Sequence, residues 1–170
     1  MTLVDIIEKT IGEERTQKLV NSRPYRFTVD AIAMNVFSLS YALNEKFIAG
    51  MDWTETGKAR LAAAIGNTLT GRPYGIYRDY VMKKLNVTNE THWMKKYLAD
   101  IFIFATGQTP LYLIYLAAAG ADPDEIMKGT TFLTLVAPVT GRPQGVTYDY
   151  CRKQFGVEEP YQTNERKATE

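Results

Sequence analysis

The chain has 170 residues, with 20 Lys and Arg against 19 Asp and Glu, one Cys and one His. That length holds one compact unit rather than two large domains, and the near-cancelled charge gives no footing for a nucleic-acid partner. Cys151 stands alone, which excludes an internal disulfide, and no His, Cys and carboxylate set has metal-ligand or triad spacing, so no metal, no cofactor and no enzyme activity is expected.

The first segment, residues 1–22, reads as an amphipathic helix over 2–20, with Leu3, Ile7 and Ile11 on one stripe and a Thr2/Asp5 cap. Asp5, Glu8, Glu13 and Glu14 set it apart from a signal or transit peptide. Such a helix suits a membrane interface or the surface of a helical bundle.

From residue 26 the chain repeats itself. A shift of 70 positions lays 26–87 over 96–157 without a gap, and 16 of the 62 aligned positions are identical. These identities gather at glycines, turns and charges, so the chain is one unit used twice and its sites should come in pairs. The strongest match is Thr70-Gly71-Arg72-Pro73-Tyr74-Gly75 against Thr140-Gly141-Arg142-Pro143-Gln144-Gly145, and Asp30 falls on Asp100.

Each repeat reads as a helix, a tight turn and a longer helix. The turns are Gly50-Met51-Asp52-Trp53 and Gly120-Ala121-Asp122-Pro123, where glycine ends one helix and aspartate caps the next. Glu55 and Glu125 complete the caps, and Pro123 suits a first helical position. Val and Ile do not alternate with polar residues, so the fold class is all-α. Each longer helix of about 30 residues carries Gly-Arg-Pro-x-Gly, formed by Gly71, Arg72, Pro73 and Gly75 and by Gly141, Arg142, Pro143 and Gly145. Proline predicts a kink or break there, and the glycine spacing predicts close helix packing. Arg72 and Arg142 are expected to hold these segments to lipid phosphates or carbonyls.

The apolar runs are 31–44, 61–71, 101–121 and 129–141. The third has 21 uncharged positions, long enough at about 1.5 Å per residue to cross a hydrocarbon core of ~30 Å. Mean hydropathy is only -0.23. The segments between the runs nevertheless alternate in sign: basic before residue 27, acidic at Asp52 and Glu55, basic through 77–96, acidic at Asp122, Asp124 and Glu125, basic at Arg152 and Lys153. Four membrane spans with both termini in the cytoplasm follow from the positive-inside rule. The predicted organisation is a transmembrane domain at 23–157 and a polar tail at 158–170. The alternative is a soluble or peripheral helical module that binds a partner.

The residues also resemble a known family. Asp30-Ala31-Ile32-Ala33-Met34, Glu45 through Gly50, Arg60-Leu61 and Pro73-Tyr74-Gly75-Ile76-Tyr77-Arg78-Asp79 are similar to the bacterial L-alanine exporters. In the second half Leu98-Ala99-Asp100-Ile101, Gln108-Thr109-Pro110-Leu111-Tyr112 and Asp149-Tyr150-Cys151-Arg152 agree, and the similarity covers about residues 25–157. The resemblance implies a small inner-membrane protein of four transmembrane helices that exports L-alanine, is driven by the proton gradient and works as a homo-oligomer.

A zwitterionic amino acid needs a cation for its carboxylate and an anion for its ammonium, and proton coupling needs a carboxyl that titrates. Asp30 and Asp100 occupy equivalent places. Glu45 and Arg60 break the symmetry, since Tyr115 and Thr130 stand at their counterparts. Glu45, Arg60, Asp100 and Asp30 are therefore the candidate substrate and coupling residues. The bland readings are helix-start caps for the two aspartates, a local pair for Glu45 and a snorkelling side chain for Arg60.

Overall fold

Capping decides where the helices of this chain begin. In the computed structural model, which describes residues 1–40, 53–88, 90–118 and 123–157, Thr2 Oγ1 accepts from the Asp5 amide and the Asp5 carboxylate accepts from the Thr2 amide. This reciprocal box starts α1 (Leu3–Ile11). The hydrogen bond from the Thr2 amide, and after it the Thr2 side chain, hold the Asp5 carboxyl below its ordinary pKa. Gly12, at φ +85°, then ends α1 and precedes α2 (Glu13–Val20). The expected single helix over 2–20 is thus two, divided where glycine alone accepts a left-handed backbone at little cost.

Ser22 accepts from the Tyr25 amide and Pro24 sits in the first turn of α3 (Arg23–Ser38). The two longest helices, α4 (Trp53–Lys84) and α7 (Pro123–Gln154), have 32 residues each. Between them run α5 (Trp93–Ile103), a π-helical turn (Phe104–Gln108) and α6 (Thr109–Ala118). The described residues contain no strand. Glu45, both predicted turns at 50–52 and 120–122, the side chains of Glu55 and Glu125, and the tail 158–170 lie outside the described residues.

The long helices stop in the same way. The Val87 amide donates to Met82 O at 3.0 Å and the Asn86 amide to Lys83 O at 3.1 Å. Seventy positions on, Val157 donates to Arg152 O at 2.9 Å and Gly156 to Lys153 O at 3.3 Å. Asn86 (φ 48°) and Gly156 (φ 68°) supply the left-handed residue, and buried Val87 and Val157 close each Schellman motif.

The Gly-Arg-Pro-x-Gly segments do not break their helices. α4 continues through Pro73 and α7 through Pro143, each with its proline exposed and its glycines buried. Their function in the fold is close approach. A Cβ on Gly71 would stand 2.8 Å from Ala31 Cα, and one on Gly141 2.9 Å from Ile101 Cα.

The chain divides into two compact units. The first comprises Met1–Arg72 with Thr147–Val157, and the second contains Pro73–Val146. Each long helix therefore changes unit just after its arginine or a few residues later. In the first unit Asp30, Asn67 and Arg152 are buried beside Val29, Ala33 and Met34. In the second, Arg78, Asp100 and Gln144 are buried beside Ala99, Ile103 and Phe104. Large apolar residues face outward instead: Leu61, Ile65, Leu69, Ile76 and Tyr80 along α4, and Leu135, Val139, Val146 and Tyr150 along α7.

No helix among the described residues is long and apolar enough to cross a membrane. Two features of the structure account for this. Residues 101–118 of the apolar run are shared between α5, the π-turn and α6, and the outward apolar stripes of α4 and α7 occupy the same helices as their inward arginines, which makes each helix polar on one side.

Candidate functional site: two carboxylates between arginines

Asp30 lies near the middle of α3 and is completely buried. Its Oδ2 accepts from Arg72 Nη1 at 2.8 Å and its Oδ1 from Arg152 Nε at 2.8 Å. Arg152 is itself fully buried, its guanidinium 5.8 Å from the centre of the Tyr148 ring. The Tyr148 hydroxyl donates to Gly71 O at 3.3 Å, and Gly71 is where α4 meets α3. One carboxylate thus ties three helices of the first unit together.

Asp100 on α5 repeats the arrangement in the second unit. Its Oδ2 accepts from Arg142 Nη1 at 2.5 Å and its Oδ1 from Arg78 Nη2 at 3.3 Å. Gly145 makes room for it, because a Cβ there would collide with the carboxylate. Next to it Tyr74 donates its hydroxyl to Gln144 Oε1 at 2.8 Å, so two equivalent repeat positions meet each other. Removing a carboxyl from water costs several kcal/mol unless its partners are well placed. Two guanidiniums per carboxylate meet that requirement.

These contacts correct two expectations. Neither aspartate is a helix-start cap. Arg72 and Arg142 reach inward to carboxylates rather than outward to lipid. Arg78 and Arg152, which complete the clusters, were missed by the sequence reading because their repeat counterparts are Tyr148 and Met82. The available signal was a buried acid whose repeat partner brought only one arginine.

Arg60 lies elsewhere in the first unit. Its Nη1 donates to Ser38 O at 2.7 Å and to Ser38 Oγ at 2.9 Å. It lines a groove of about 460 Å³ between α3 and α4, with Phe27, Thr28, Ala31, Ile32, Asn35, Val36, Ser38, Leu39, Ala64 and Thr68. Asn35 Nδ2 bridges the groove to Thr68 Oγ1 at 3.3 Å. The structure therefore brings Arg72 to Asp30 and Arg142 to Asp100 and sets Arg60 apart from both. Among the described residues no group of three or more His, Cys, Asp and Glu side chains is placed to hold a metal ion.

Paired buried carboxylate–arginine clusters in a duplicated chain, with helices and no strand among its described residues, mark a small two-repeat helical protein. Within it, a family model described as "AlaE: L-alanine exporter" matches residues 19–158. The chain is 35% identical to an L-alanine exporter of Salmonella arizonae over 83% of its length and 95% of the relative's. It is 35% identical to that of Escherichia coli K12 over 80% of this chain and 91% of the relative, and 31% identical to that of a Pantoea species over 92% and 89%. No solved structure matches. The chain belongs to the L-alanine exporter family.

Proposed function

We propose that this protein is a secondary transporter that exports L-alanine or a similar small amino acid across the bacterial inner membrane, driven by the proton gradient. The observation that carries the reading is the inversion of polarity along the long helices. Asn67, Arg78, Gln144 and Arg152 are buried there alongside Tyr74, Val81, Met82 and Tyr148, while a line of Leu, Ile, Val and Tyr faces out. Water would favour the opposite arrangement; a hydrocarbon solvent favours this one, with intramembrane charges paired and turned inward. The two tryptophans near helix starts, Trp53 and Trp93, are both exposed, as residues at a membrane–water boundary are.

The four spans are centred on α3, α4, the α5–π–α6 run and α7, with both termini cytoplasmic. The groove beside Arg60 falls in the usual size range of small-molecule sites, ~300–1,000 Å³, and its guanidinium suits a substrate carboxylate. Asp100 takes the coupling proton, with Asp30 as its structural counterpart and Glu45 as the further acid. Copies associate through the outward apolar stripes, since Gly71 and Gly141 are already occupied by contacts inside the chain.

Export is tested by preloading cells with an alanine dipeptide and following efflux. Wild-type cells should release alanine faster than cells lacking the gene, and Asp100→Asn should abolish gradient-driven release while the protein stays inserted. Equal efflux with and without the protein overturns alanine as cargo. A peripheral helical module is the second reading, favoured by the mean hydropathy of -0.23 and the amphipathic α1. Release of the chain by carbonate extraction would select it.

A further inference from the structure

The second unit contains a pair of buried polar atoms for which the fold itself has no use. Gln108 Oε1 and Thr109 Oγ1 are both sealed from solvent and have no hydrogen-bond partner. They are consecutive residues at the junction of the π-turn and α6. Buried acceptors left unsatisfied are destabilising, and π-turns inside helices gather at functional positions.

The orphaned hydroxyl has a local cause. Threonines elsewhere in these helices donate to the carbonyl four residues back: Thr68 to Ala64, Thr70 to Gly66, Thr106 to Phe102, Thr134 to Thr130 and Thr140 to Val136, at 2.6–2.9 Å. The residue four before Thr109 is Ala105, inside the wider π-turn, and no such bond forms.

The first repeat shows what fills the equivalent place. Gln108 corresponds to Ser38, and there the Arg60 guanidinium supplies N–H donors to the Ser38 oxygens. Arg60 corresponds to Thr130, which is too short to act likewise. In the first unit a positively charged N–H group completes the site; in the second the oxygens stand ready and the arginine has been replaced. Gly107 lets the rings of Tyr74 and Tyr77 cover the π-turn, with ring carbons 3.0 Å from where a Cβ would be, and Tyr77 Oη meets Thr106 Oγ1 at 2.5 Å.

We propose that Gln108 Oε1 and Thr109 Oγ1 accept hydrogen bonds from the primary ammonium of a small amino acid, beneath a cover formed by Tyr74 and Tyr77. The proposal rests on the transport reading above and assigns it an ammonium subsite. The accepting atoms are neutral oxygens, which also suit an alkali cation, so the test has an arm for each source.

Full-length protein in proteoliposomes is assayed for alanine counterflow, and its thermal unfolding is measured in detergent. Absence of counterflow by the wild type overturns the transport reading, and the subsite with it. Given wild-type counterflow, Thr109→Val and Gln108→Leu should each raise the half-saturating alanine concentration about tenfold, the scale of a hydrogen bond to a charged group. Thr109→Ser should restore the wild-type value. Because the hydroxyl has no partner in the fold, Thr109→Val should unfold at the wild-type temperature or above it, an outcome that a structural role would not give. Half-saturation within twofold of wild type in both variants, or a lowered unfolding temperature for Thr109→Val, overturns the subsite. Replacing sodium with choline should leave wild-type half-saturation unchanged; a sodium requirement that Thr109→Val abolishes would assign the oxygens to a metal cation and overturn the ammonium proposal.

Discussion

The Asp30 and Asp100 clusters derive from the same unit and solve the same problem differently. Within each repeat the pair is kept at one separation, since Asp30–Arg72 and Asp100–Arg142 both span 42 residues. The second arginine is not kept. Asp30 takes Arg152 and Asp100 takes Arg78, which in the repeat register correspond to positions 82 and 148, occupied by Met82 and Tyr148. The two supporting arginines therefore enter one helical turn apart. Contacts internal to a repeat are constrained by both copies, whereas a contact to the other repeat's helix needs only to balance the charge. The second unit's looser pair, 3.3 Å against 2.8 Å, marks where the copies have diverged.

Removing either carboxylate should break the comparison most severely. Asp30→Asn leaves Arg72 and buried Arg152 without their shared anion, and about 3–5 kcal/mol of stability should be lost. Asp100→Asn should lose less, given its longer contact to Arg78. Thermal unfolding of the two variants in detergent ranks them, and a greater loss at Asp100 would refute the ordering.

A transplant sharpens the point. Arg152→Met alone strips Asp30 of its buried partner. Tyr148→Arg combined with Arg152→Met copies the second unit's arrangement into the first and should recover part of that loss, on the order of 1–2 kcal/mol, the worth of a charged hydrogen bond. No recovery would show that the arginine's entry point is fixed by its surroundings rather than by charge balance.

The glycines come next. Gly71→Ala presses a methyl into the backbone of α3 and Gly141→Ala into that of α5, and overpacking of about 1–3 kcal/mol is expected at both, nearly equal because the geometry is. Unequal costs in chemical denaturation would show that the crossings differ in their freedom to adjust. The smallest effect belongs to Thr2→Ala, which removes the capping box and should fray only residues 3–11, seen as faster amide exchange there. Asp5 gives the same region a pH dependence. Its lowered pKa means its contribution is present above the ordinary carboxylate range and is lost as the pH falls through the folded value.

Much of this was legible beforehand because it repeats. Asp30 and Asp100 were visible as a matched pair, Gly71 and Gly141 as close-approach points, and Thr2 with Asp5 as a cap. Three kinds of feature were not. Arg78 and Arg152 hide from a repeat comparison because each faces a different residue type in the other copy. The proline motifs suggested a kink or break, and there is no break because a helix loses one hydrogen bond to proline and can absorb it where the ring faces outward, as Pro73 and Pro143 do. The division at 104–108 depends on how one turn widens, which composition does not register.

The end of α7 carries one more consequence. The Tyr25 hydroxyl, at the start of α3, donates to Phe155 O at 2.9 Å, and the Tyr25 and Phe155 rings meet edge to face. Gly156 lies so close to Val4 that a Cβ there would stand 2.6 Å from its methyl carbon. The start of α3 and the end of α7 are thus clasped within the first unit. A chain fastened in this way shares one anchorage between its two ends, so trimming the last turn of α7 should loosen Val4 and Tyr25 as much as it loosens Phe155 itself.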